Sequence, residues 1–248
     1  MTVSAEASDV SRARRVMHDD AVTEPAIATT EATFAFVDLA GFTAMTEVHG
    51  DAQAVSIVRA FRDRALEVLR PGDQLVKTIG DAVMLRFPTP EAAIVALREL
   101  LERELVLHDA VLLPRAGAHH GGAVEVDGDY YGAAVNLAAR VAGQARGGQL
   151  LVTAGAAMAA RDVGAIVTHV GSVELRNVSE KVDIYDVRVT DADGPAVTDL
   201  VCLMRVPTTG ESALFLDWSG RRFYFCSLPC VSRFAAAPDT YLCRQPDD

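Results

Sequence analysis

The order of strand-like and helix-like segments predicts an α+β fold, a ferredoxin-like βαββαβ sandwich with helices on one face of a mainly antiparallel sheet. An apolar run rich in strand formers occupies residues 33–39. Apolar residues then recur at helical spacing from Ala54. Two further strand-like runs flank Gly80 and Asp81, and glycine first in a two-residue connection is typical of a type II′ hairpin.

The remainder of the chain continues the alternation of helices and strands. Apolar spacing and turn residues predict a helix, a strand, a second helix and three more strands after the hairpin. The predicted helices are residues 90–107 and 131–145, and the predicted strands other than the first are residues 73–79, 82–87, 115–126, 149–153, 165–173 and 183–189.

Length and composition divide the chain into a larger and a smaller part. With 248 residues it is long enough for one full domain and a fraction of a second. Residues 1–31 are rich in small, polar and charged types without a sustained period, so we predict a flexible tail there. The main domain is predicted over residues 32–189, a linker over residues 190–197, and a small cysteine-containing module over residues 198–243.

The charge balance restricts the partners of the protein. With 23 Lys and Arg against 34 Asp and Glu, the formal net charge is -11, which argues against a nucleic-acid binder and against docking on anionic lipid. The richest apolar stretch, residues 92–113, contains seven charged or histidine residues, so no membrane span is predicted. The N-terminus has no apolar signal core, and we therefore expect a cytoplasmic protein.

Two carboxylates stand at the ends of the first strands. Asp38 ends the first strand on the face of Phe34 and Phe36, and Asp81 lies in the predicted hairpin turn. Taken singly, each is more simply a helix cap or an ordinary turn residue. Their surroundings, FAFVDLAGFT and KTIGDAVM, nevertheless both resemble the class III nucleotidyl cyclase catalytic domain.

A third motif carries the same resemblance. In GDYYGAAVNLAARV, Asp129, Asn136 and Arg140 stand at the spacing of that family. The family's R-x-G-x-H-x-G strand is matched by Arg115, Gly117, His119 and Gly121. The resemblance covers about residues 32–189, and it implies the cyclase form of the ferredoxin-like sandwich.

The resemblance implies a two-metal site at the first two carboxylates. Carboxylates at adjacent strand ends suit hard divalent cations, here two Mg²⁺ or Mn²⁺ ions held by Asp38 and Asp81 in each active site. Such ions activate an attacking oxygen and neutralise a triphosphate. The implied reaction is attack of the ribose 3′-hydroxyl on the α-phosphate, with pyrophosphate as the leaving group.

Lys77 and Asp129 resemble the pair that reads the purine base. Adenine presents an acceptor at N1 and an amino donor at N6, which an ammonium group and a carboxylate complement. Guanine reverses both groups, and a mismatch in a site built for hydrogen bonds discriminates by about 10⁴-fold or more. The pair therefore indicates ATP as the substrate. A solvent-facing strand lysine is the simpler alternative for Lys77, but Leu75 and Ile79 are expected to share its face.

A helix is expected to carry the groups that act on the ribose and the phosphate. Asn136 and Arg140 are four residues apart and so share a helix face, although a random surface helix also carries such residues. The resemblance assigns the ribose to Asn136 and the charge of the transition state to Arg140. Arg176 lies roughly where the family places a cation for the terminal phosphates, with Lys181 as the alternative.

The family builds its active sites between two catalytic domains, with metals on one and base and ribose on the other. Because a single domain here carries all of the site residues, the resemblance implies a homodimer with two equivalent sites.

The C-terminal residues resemble a YHS domain over about residues 199–242. Cysteine sulfurs of Cys202, Cys226 and Cys230 suit Zn²⁺ or Cu(I), and the last two share a face if residues 226–234 are helical. Buried, inert thiols are the alternative, and Cys243 is a candidate fourth ligand.

Three functional hypotheses follow from the sequence. The leading one is an adenylate cyclase that converts ATP to cyclic AMP and pyrophosphate. The second is a catalytically silent, nucleotide-binding regulatory module that signals through the YHS-like domain. The third is a guanylate cyclase, which Lys77 and Asp129 disfavour.

Overall fold

The structure is a computed structural model that describes residues 29–102, 105–107, 110–189, 196–209 and 213–243. Residues 1–28 of the predicted tail and residues 190–195 of the predicted linker lie outside these residues. The last three residues of the predicted tail, 29–31, instead begin the first strand, so the tail was predicted to end too late. The strands are β1 (Thr29–Leu39), β2 (Gln74–Ile79), β3 (Ala82–Phe87), β4 (Leu105–Leu107), β5 (Ala110–Leu112), β6 (Pro114–Val126), β7 (Asp129–Tyr131), β8 (Leu150–Thr153), β9 (Val167–Val173), β10 (Val182–Val187), β11 (Ala196–Thr198), β12 (Arg205–Pro207), β13 (Leu214–Trp218) and β14 (Arg221–Phe225). The helices are α1 (Phe42–His49), α2 (Asp51–Glu67), α3 (Pro90–Glu102), α4 (Ala133–Ala142), α5 (Ala154–Asp162), α6 (Leu228–Ala236) and α7 (Pro238–Leu242).

The main sheet contains the predicted ferredoxin-like βαββαβ unit. Its strands lie in the order β2-β3-β1-β6-β8-β10-β9, with β7 paired to β6. Antiparallel pairing joins β2 to β3, β3 to β1, and β1 to β6. The next pair in the sheet, β6 with β8, is parallel. Because β1 is central and pairs with β3 and β6, its last residues lie beside the β2–β3 hairpin and the start of β6.

Helices cover both faces of the sheet, which corrects the expectation that they lie on one. Val37 and its same-face neighbours pack in the core that α2, α3 and α5 close. Phe34 on the opposite face packs with Ala134, Val135 and Ala138 of α4. Successive side chains of β1 therefore pack alternately into two cores, one on each face of the sheet, because both faces of the strand are apolar.

The hairpin and most of the predicted element types are confirmed. Gly80 has φ +63, and Ile79 pairs with Ala82, as a two-residue type II′ turn requires. The helix predicted over residues 90–107 is too long, because it ends at Glu102 and residues 105–107 form β4. The predictions also lack α1 and α5, which are short and carry few large apolar side chains.

The C-terminal segment, residues 196–243, packs against the main domain. Its strand β12 pairs with β5, which extends the β4–β5 hairpin into a second sheet of order β11-β12-β5-β4. Val201, Met204 and Phe234 belong to the same hydrophobic core as Phe61 of α2. The segment therefore shares a core with the main domain, although its identity as a separate YHS-like module stays a prediction. Within the described residues, no helix has the length and apolar character needed to cross a membrane.

Candidate active site

The first two candidate ligands meet where β1 ends. Asp38 lies opposite Arg115 in the β1–β6 pair, and the Arg115 guanidinium donates to Asp38 Oδ2 from Nη2 at 2.6 Å and from Nε at 3.1 Å. Arg115 also donates to the carbonyl oxygen of Ala145 at 3.2 Å, which fixes its orientation. The hairpin brings Asp81 to the same place, where the two carboxylates line one cavity. The structure thus joins the two carboxylates that the sequence motifs placed 43 positions apart (81 − 38).

The closeness of the two carboxylates changes their acidity. Burial, the hydrogen bond to Asp38 and the negative charge of Asp38 together raise the pKa of Asp81 from 3.8 to about 6, while Arg115 lowers it. Neither residue caps a helix, because α1 begins after Gly41. The helix-cap interpretation of Asp38 is therefore wrong.

Asp38 and Asp81 line a cavity of about 370 Å³ beside the start of α1. Gly41, at φ +80, is the N-cap residue of α1 and has no side chain to accept its first-turn N–H groups. Phe42 and Thr43 of that turn also line the cavity. The cavity thus combines carboxylate oxygens with the positive end of a helix, an arrangement that suits a metal-bound phosphate.

The residues of the R-x-G-x-H-x-G strand hold the sheet and α4 together. A Cβ atom on Gly117 would lie 2.0 Å from the backbone nitrogen of Ala142, so only glycine allows α4 to approach β6. His119 Nδ1 is 2.7 Å from Thr153 Oγ1, and burial lowers the pKa of His119. These positions are structural, except that Arg115 contacts Asp38.

The predicted purine-reading residues form an ion pair. Lys77 Nζ donates to both carboxylate oxygens of Asp129, at 2.8 Å and 2.6 Å, and this lowers the pKa of Asp129. The backbone N–H of Tyr130 also donates to Asp129, at 2.8 Å. Lys77 remains 38% exposed and Asp129 26% exposed, so a ligand can reach both.

The expectation that Leu75 and Ile79 share the sheet face of Lys77 is wrong for Leu75. A bulge between Leu75 and Lys77 shifts the register, so that Leu75 pairs with Leu85 and Lys77 pairs with Met84. Leu75 therefore lies on the opposite face of the sheet. Ile79 does share the face of Lys77, but it is 49% exposed, so Asp129 rather than apolar packing determines where Lys77 lies.

Asn136 and Arg140 lie on α4, over the sheet face that carries Lys77. Asn136 is exposed and Arg140 half-buried, and neither side chain has a hydrogen-bond partner among the described residues. The cavity that contains Asp38 and Asp81 is not lined by these two residues, nor by Lys77 or Asp129. These four candidates therefore do not contribute to the wall of the carboxylate cavity.

The candidate for the terminal phosphates lies on another strand connection. Arg176 is exposed in the β9–β10 connection, at the opposite edge of the sheet from β2. Its alternative, Lys181, is 3.4 Å from Glu174. Neither lines the cavity that contains the two carboxylates.

A second cluster of ligand-type residues lies at the other end of α1. The sulfurs of Cys202, Cys226 and Cys230 and a ring nitrogen of His49 all lie within 4.8 Å of one another. The predicted helix begins too early, because α6 starts at Leu228, yet Cys226 and Cys230 still meet with sulfurs 3.5 Å apart.

His49 is the residue that the sequence did not reveal. Cys243, the candidate fourth ligand, is exposed and its thiol donates to the carbonyl oxygen of Thr240 at 3.2 Å, away from the cluster. His49 ends α1 far from the cysteines in the chain, without a spacing motif that links it to them. Locally, the sequence shows only that His49 precedes Gly50, a residue type that commonly follows the end of a helix, and this does not mark His49 as a metal ligand.

Sequence relatives include several adenylate cyclases. A pH-sensitive adenylate cyclase of Mycobacterium tuberculosis is 38% identical over 124 residues, which are 49% of this chain and 30% of the relative. An adenylate cyclase of Glutamicibacter nicotianae is 34% identical over 121 residues, which are 48% of this chain and 30% of the relative. The chain thus spans about a third of the length of these curated relatives.

Solved cyclase structures share the fold. An adenylate cyclase of Trypanosoma brucei, solved in its monomeric state, superposes with a TM-score of 0.58 at 25% identity, over 70% of this chain and 95% of that chain. An adenylyl cyclase of P. aeruginosa gives a TM-score of 0.55 at 20% identity, over 67% of this chain and 97% of the other. A guanylate cyclase domain of Catenaria anguillulae, solved with GTP, gives 0.58 at 17% identity, over 64% and 97%.

The family assignment rests on the whole of the main domain. The sequence family described as the adenylate and guanylate cyclase catalytic domain matches residues 25–188, which include the ferredoxin-like sheet and both candidate carboxylates. The chain therefore belongs to the adenylate and guanylate cyclase catalytic domain family.

Proposed function

We propose that the protein is an adenylate cyclase that converts ATP to 3′,5′-cyclic AMP and pyrophosphate at sites shared between two copies of the chain. The observation that carries this proposal is the meeting of Asp38 and Asp81 at a cavity beside the first turn of α1. The Lys77–Asp129 pair on the same face of the sheet supports the choice of ATP.

Asp38 and Asp81 are the residues that would hold two Mg²⁺ or Mn²⁺ ions. Their oxygen donors are those that these hard cations prefer. Burial and the neighbouring Asp38 raise the pKa of Asp81, and a cation would relieve the repulsion between the two carboxylates. When bound, the ions supply Lewis-acid activation of the attacking hydroxyl and neutralise charge on the triphosphate.

The protein groups around the substrate then position the reacting atoms. The ribose 3′-oxygen forms a bond to the α-phosphorus and loses its proton to water, while the bond to the bridging oxygen of the β-phosphate breaks and pyrophosphate leaves. First-turn N–H groups of α1 bind phosphate oxygens. Asn136 orients the ribose, Arg140 donates to the α-phosphoryl oxygens as their charge grows, and Arg176 is the proposed cation for the terminal phosphates.

Base selection falls to the ion pair. Lys77 would donate to adenine N1 and Asp129 would accept from the N6 amino group, each exchanging its present partner for the base. A guanine in the same position would leave O6 against the carboxylate and N1–H against the ammonium group. Such unpaired groups disfavour GTP by about 10⁴-fold.

The absence of the other four candidate residues from the carboxylate cavity supports the proposal of a homodimer. Lys77, Asp129, Asn136 and Arg140 do not line the cavity of Asp38 and Asp81 within the part of the chain that the structure describes. We propose that one protomer supplies the carboxylates and its partner supplies the base, ribose and α-phosphate contacts.

A single assay separates the three hypotheses. The full chain is incubated with Mn²⁺ and either ATP or GTP, and the cyclic product is measured. Cyclic AMP from ATP, with little product from GTP, is expected. Cyclic GMP from GTP, without cyclic AMP from ATP, would indicate a guanylate cyclase, and no product from either nucleotide would indicate a silent nucleotide-binding module.

Complementation tests the shared site. Asp38→Ala and Arg140→Ala chains, each inactive alone, should regain activity when mixed, because one of the two sites in a mixed dimer has all of its residues. Asp38→Ala mixed with Asp81→Ala is the matched control and should stay inactive, since both changes affect the same half of the site. Equal recovery in both mixtures would contradict the proposed division.

A further inference from the structure

We propose that His49, Cys202, Cys226 and Cys230 bind one structural Zn²⁺ ion, which fastens the C-terminal segment to helix α1 of the cyclase domain. The proposal adds a closed metal site to the protein and a ligand, His49, from a different part of the chain than the cysteines. It does not depend on the cyclase activity.

The distances fit a tetrahedral ion. The sulfur of Cys226 is 3.4 Å from that of Cys202, 3.5 Å from that of Cys230 and 3.4 Å from Nε2 of His49. Zn–S bonds of about 2.3 Å and Zn–N bonds of about 2.0 Å in a tetrahedron separate ligand atoms by roughly 3.5 to 3.8 Å. The other pairs of ligand atoms lie within 4.8 Å of each other, so shifts of up to about 1 Å would bring all four atoms to these separations.

Burial favours a structural rather than a catalytic metal. Cys202 and Cys230 are fully buried, Cys226 is 9% exposed, and His49 is half-buried. Four protein ligands complete a tetrahedron and leave no position for substrate, which is typical of structural Cys₃His zinc sites. Soft sulfur ligands suit both Cu(I) and Zn²⁺, but four ligands with an imidazole among them form the Cys₃His set of structural zinc sites.

A buried carboxylate holds the two ligand loops in place. Asp199 is fully buried, and its side chain accepts the backbone N–H groups of Val201 at 2.8 Å and of Cys226 at 2.9 Å. The backbone of Asp199 also bonds to that of Leu203 and Met204, which closes the turn around Cys202. This is the arrangement expected of groups that orient metal ligands from outside the coordination sphere.

The same turn reaches the cyclase cavity. Leu203, next to the ligand Cys202, lines the cavity of Asp38 and Asp81 and adopts φ +62. A Cβ atom on Gly41 would lie 2.7 Å from Leu203 Cβ. Because Gly41 has no side chain, the turn that contains Leu203 can pack against the start of α1. The segment therefore contacts the N-terminus of α1 through Leu203 and would hold its C-terminus through the ion on His49.

Metal analysis of the full chain tests the proposal. The wild-type protein, purified without chelators, should hold about one zinc per chain. His49→Ala should weaken zinc affinity at least tenfold in competition with a chromophoric chelator, as expected for loss of a ligand. Cys243→Ser and His169→Ala are matched controls, because both residues are exposed and lie outside the cluster, and zinc affinity should not change.

Replacement of zinc by Co²⁺ gives a charge-transfer absorbance that reports the number of thiolate ligands. The same absorbance shows whether the thiolate site is still formed in each variant. Charge-transfer absorbance should stay at the wild-type level in His49→Ala, and His49→Cys should restore affinity and raise that absorbance by about one third, from three thiolates to four. Four results would overturn the proposal: less than about one tenth of a zinc per wild-type chain, preferred binding of Cu(I), a disulfide among the three cysteines, or wild-type zinc affinity in His49→Ala. Because the readout is metal binding, failure of the proposed cyclase activity would leave it unaffected.

Discussion

Helix α1 has a polar cluster at each end, and the two clusters differ in chemistry and in access. At its N-terminus, Asp38 and Asp81 present carboxylate oxygens to an open cavity. At its C-terminus, His49 joins three buried cysteines in a closed group. Oxygen ligands in an open site suit exchangeable hard cations that carry substrate, whereas sulfur ligands in a closed site suit an ion that remains with the protein.

The difference indicates how the two ends of one short helix can serve separate purposes. An open cation site must release product and so tolerates little protein enclosure, while a closed site contributes its binding energy to folding. Because α1 has only eight residues, about 12 Å, displacement of one end moves the other. The two clusters are therefore chemically independent and mechanically linked.

Removing the charge of one carboxylate should have the largest effect and should be confined to one cluster. Asp38→Asn keeps the shape of the side chain but halves the negative charge of the pair, so turnover should fall by about 10³-fold or more. Zinc content should stay at the wild-type value, measured on the same preparation. Retained turnover would refute the metal-binding role of Asp38.

The converse substitution should act first on the thiol cluster. Cys226 contacts both other cysteines and His49, so Cys226→Ser should weaken zinc affinity by about 10²-fold and lower Tm by about 10 °C. Turnover should fall by about tenfold, because α1 is then held less firmly at the cavity. Assays at saturating Mg²⁺ separate this loss from any loss of catalytic metal. Unchanged Tm and zinc content would contradict the comparison.

The carboxylate cluster could be predicted from the sequence, and so could the three cysteines of the thiol cluster, but its fourth residue, His49, could not. Asp38 and Asp81 stand in local motifs, at a strand end and in a two-residue turn, and the family resemblance implied that they form one site. The pairing of Val37 with Val83 brings the two motifs to the same end of neighbouring strands. Lys77 and Asp129 were likewise found from motifs, although a bulge changed the reason for their orientation. Short motifs mark these parts in the sequence, even though contacts between distant strands bring them together.

The missing parts depend on long-range packing. His49 becomes a candidate ligand only when the C-terminal segment folds over α1, and no spacing within one element encodes that contact. Similarly, α4 was expected on the same face as the other helices, but β1 has apolar side chains on both faces and its pattern does not show which helix covers which. Alanine-rich α5 lacks the large apolar residues that mark a helical period.

A change of pH should affect the carboxylate cluster through Asp81, with a smaller effect on turnover than the two substitutions above. Asp81 has a pKa of about 6 in the folded chain and binds a cation only when ionised, so apparent Mg²⁺ affinity should fall about tenfold per pH unit below 6. Without metal, the folded chain binds more protons than the unfolded chain between pH 3.8 and about 6, so the contribution of Asp81 to the free energy of unfolding decreases as pH rises through that window. Mg²⁺ titrations of turnover at pH 5, 6 and 7 measure the change in apparent Mg²⁺ affinity. Urea unfolding over the same pH range measures the change in the free energy of unfolding, and Asp81→Asn should remove the contribution of Asp81 to it.

The smallest effect is expected at the residue that lies between the clusters. Leu203 has φ +62, a conformation that costs a non-glycine residue about 1 kcal/mol, and it contacts the start of α1 while remaining 36% exposed. In Leu203→Gly the relief of that cost offsets the lost contact, so the free energy of unfolding should change by less than about 1 kcal/mol. Turnover should fall by about threefold with zinc retained, because the contact that positions the first turn of α1 is lost. Ser219→Gly, at φ +49 in the β13–β14 turn, is the matched control: the same backbone relief occurs far from α1, and turnover should not change. Equal turnover in both variants would show that the C-terminal segment acts on α1 through the zinc site alone.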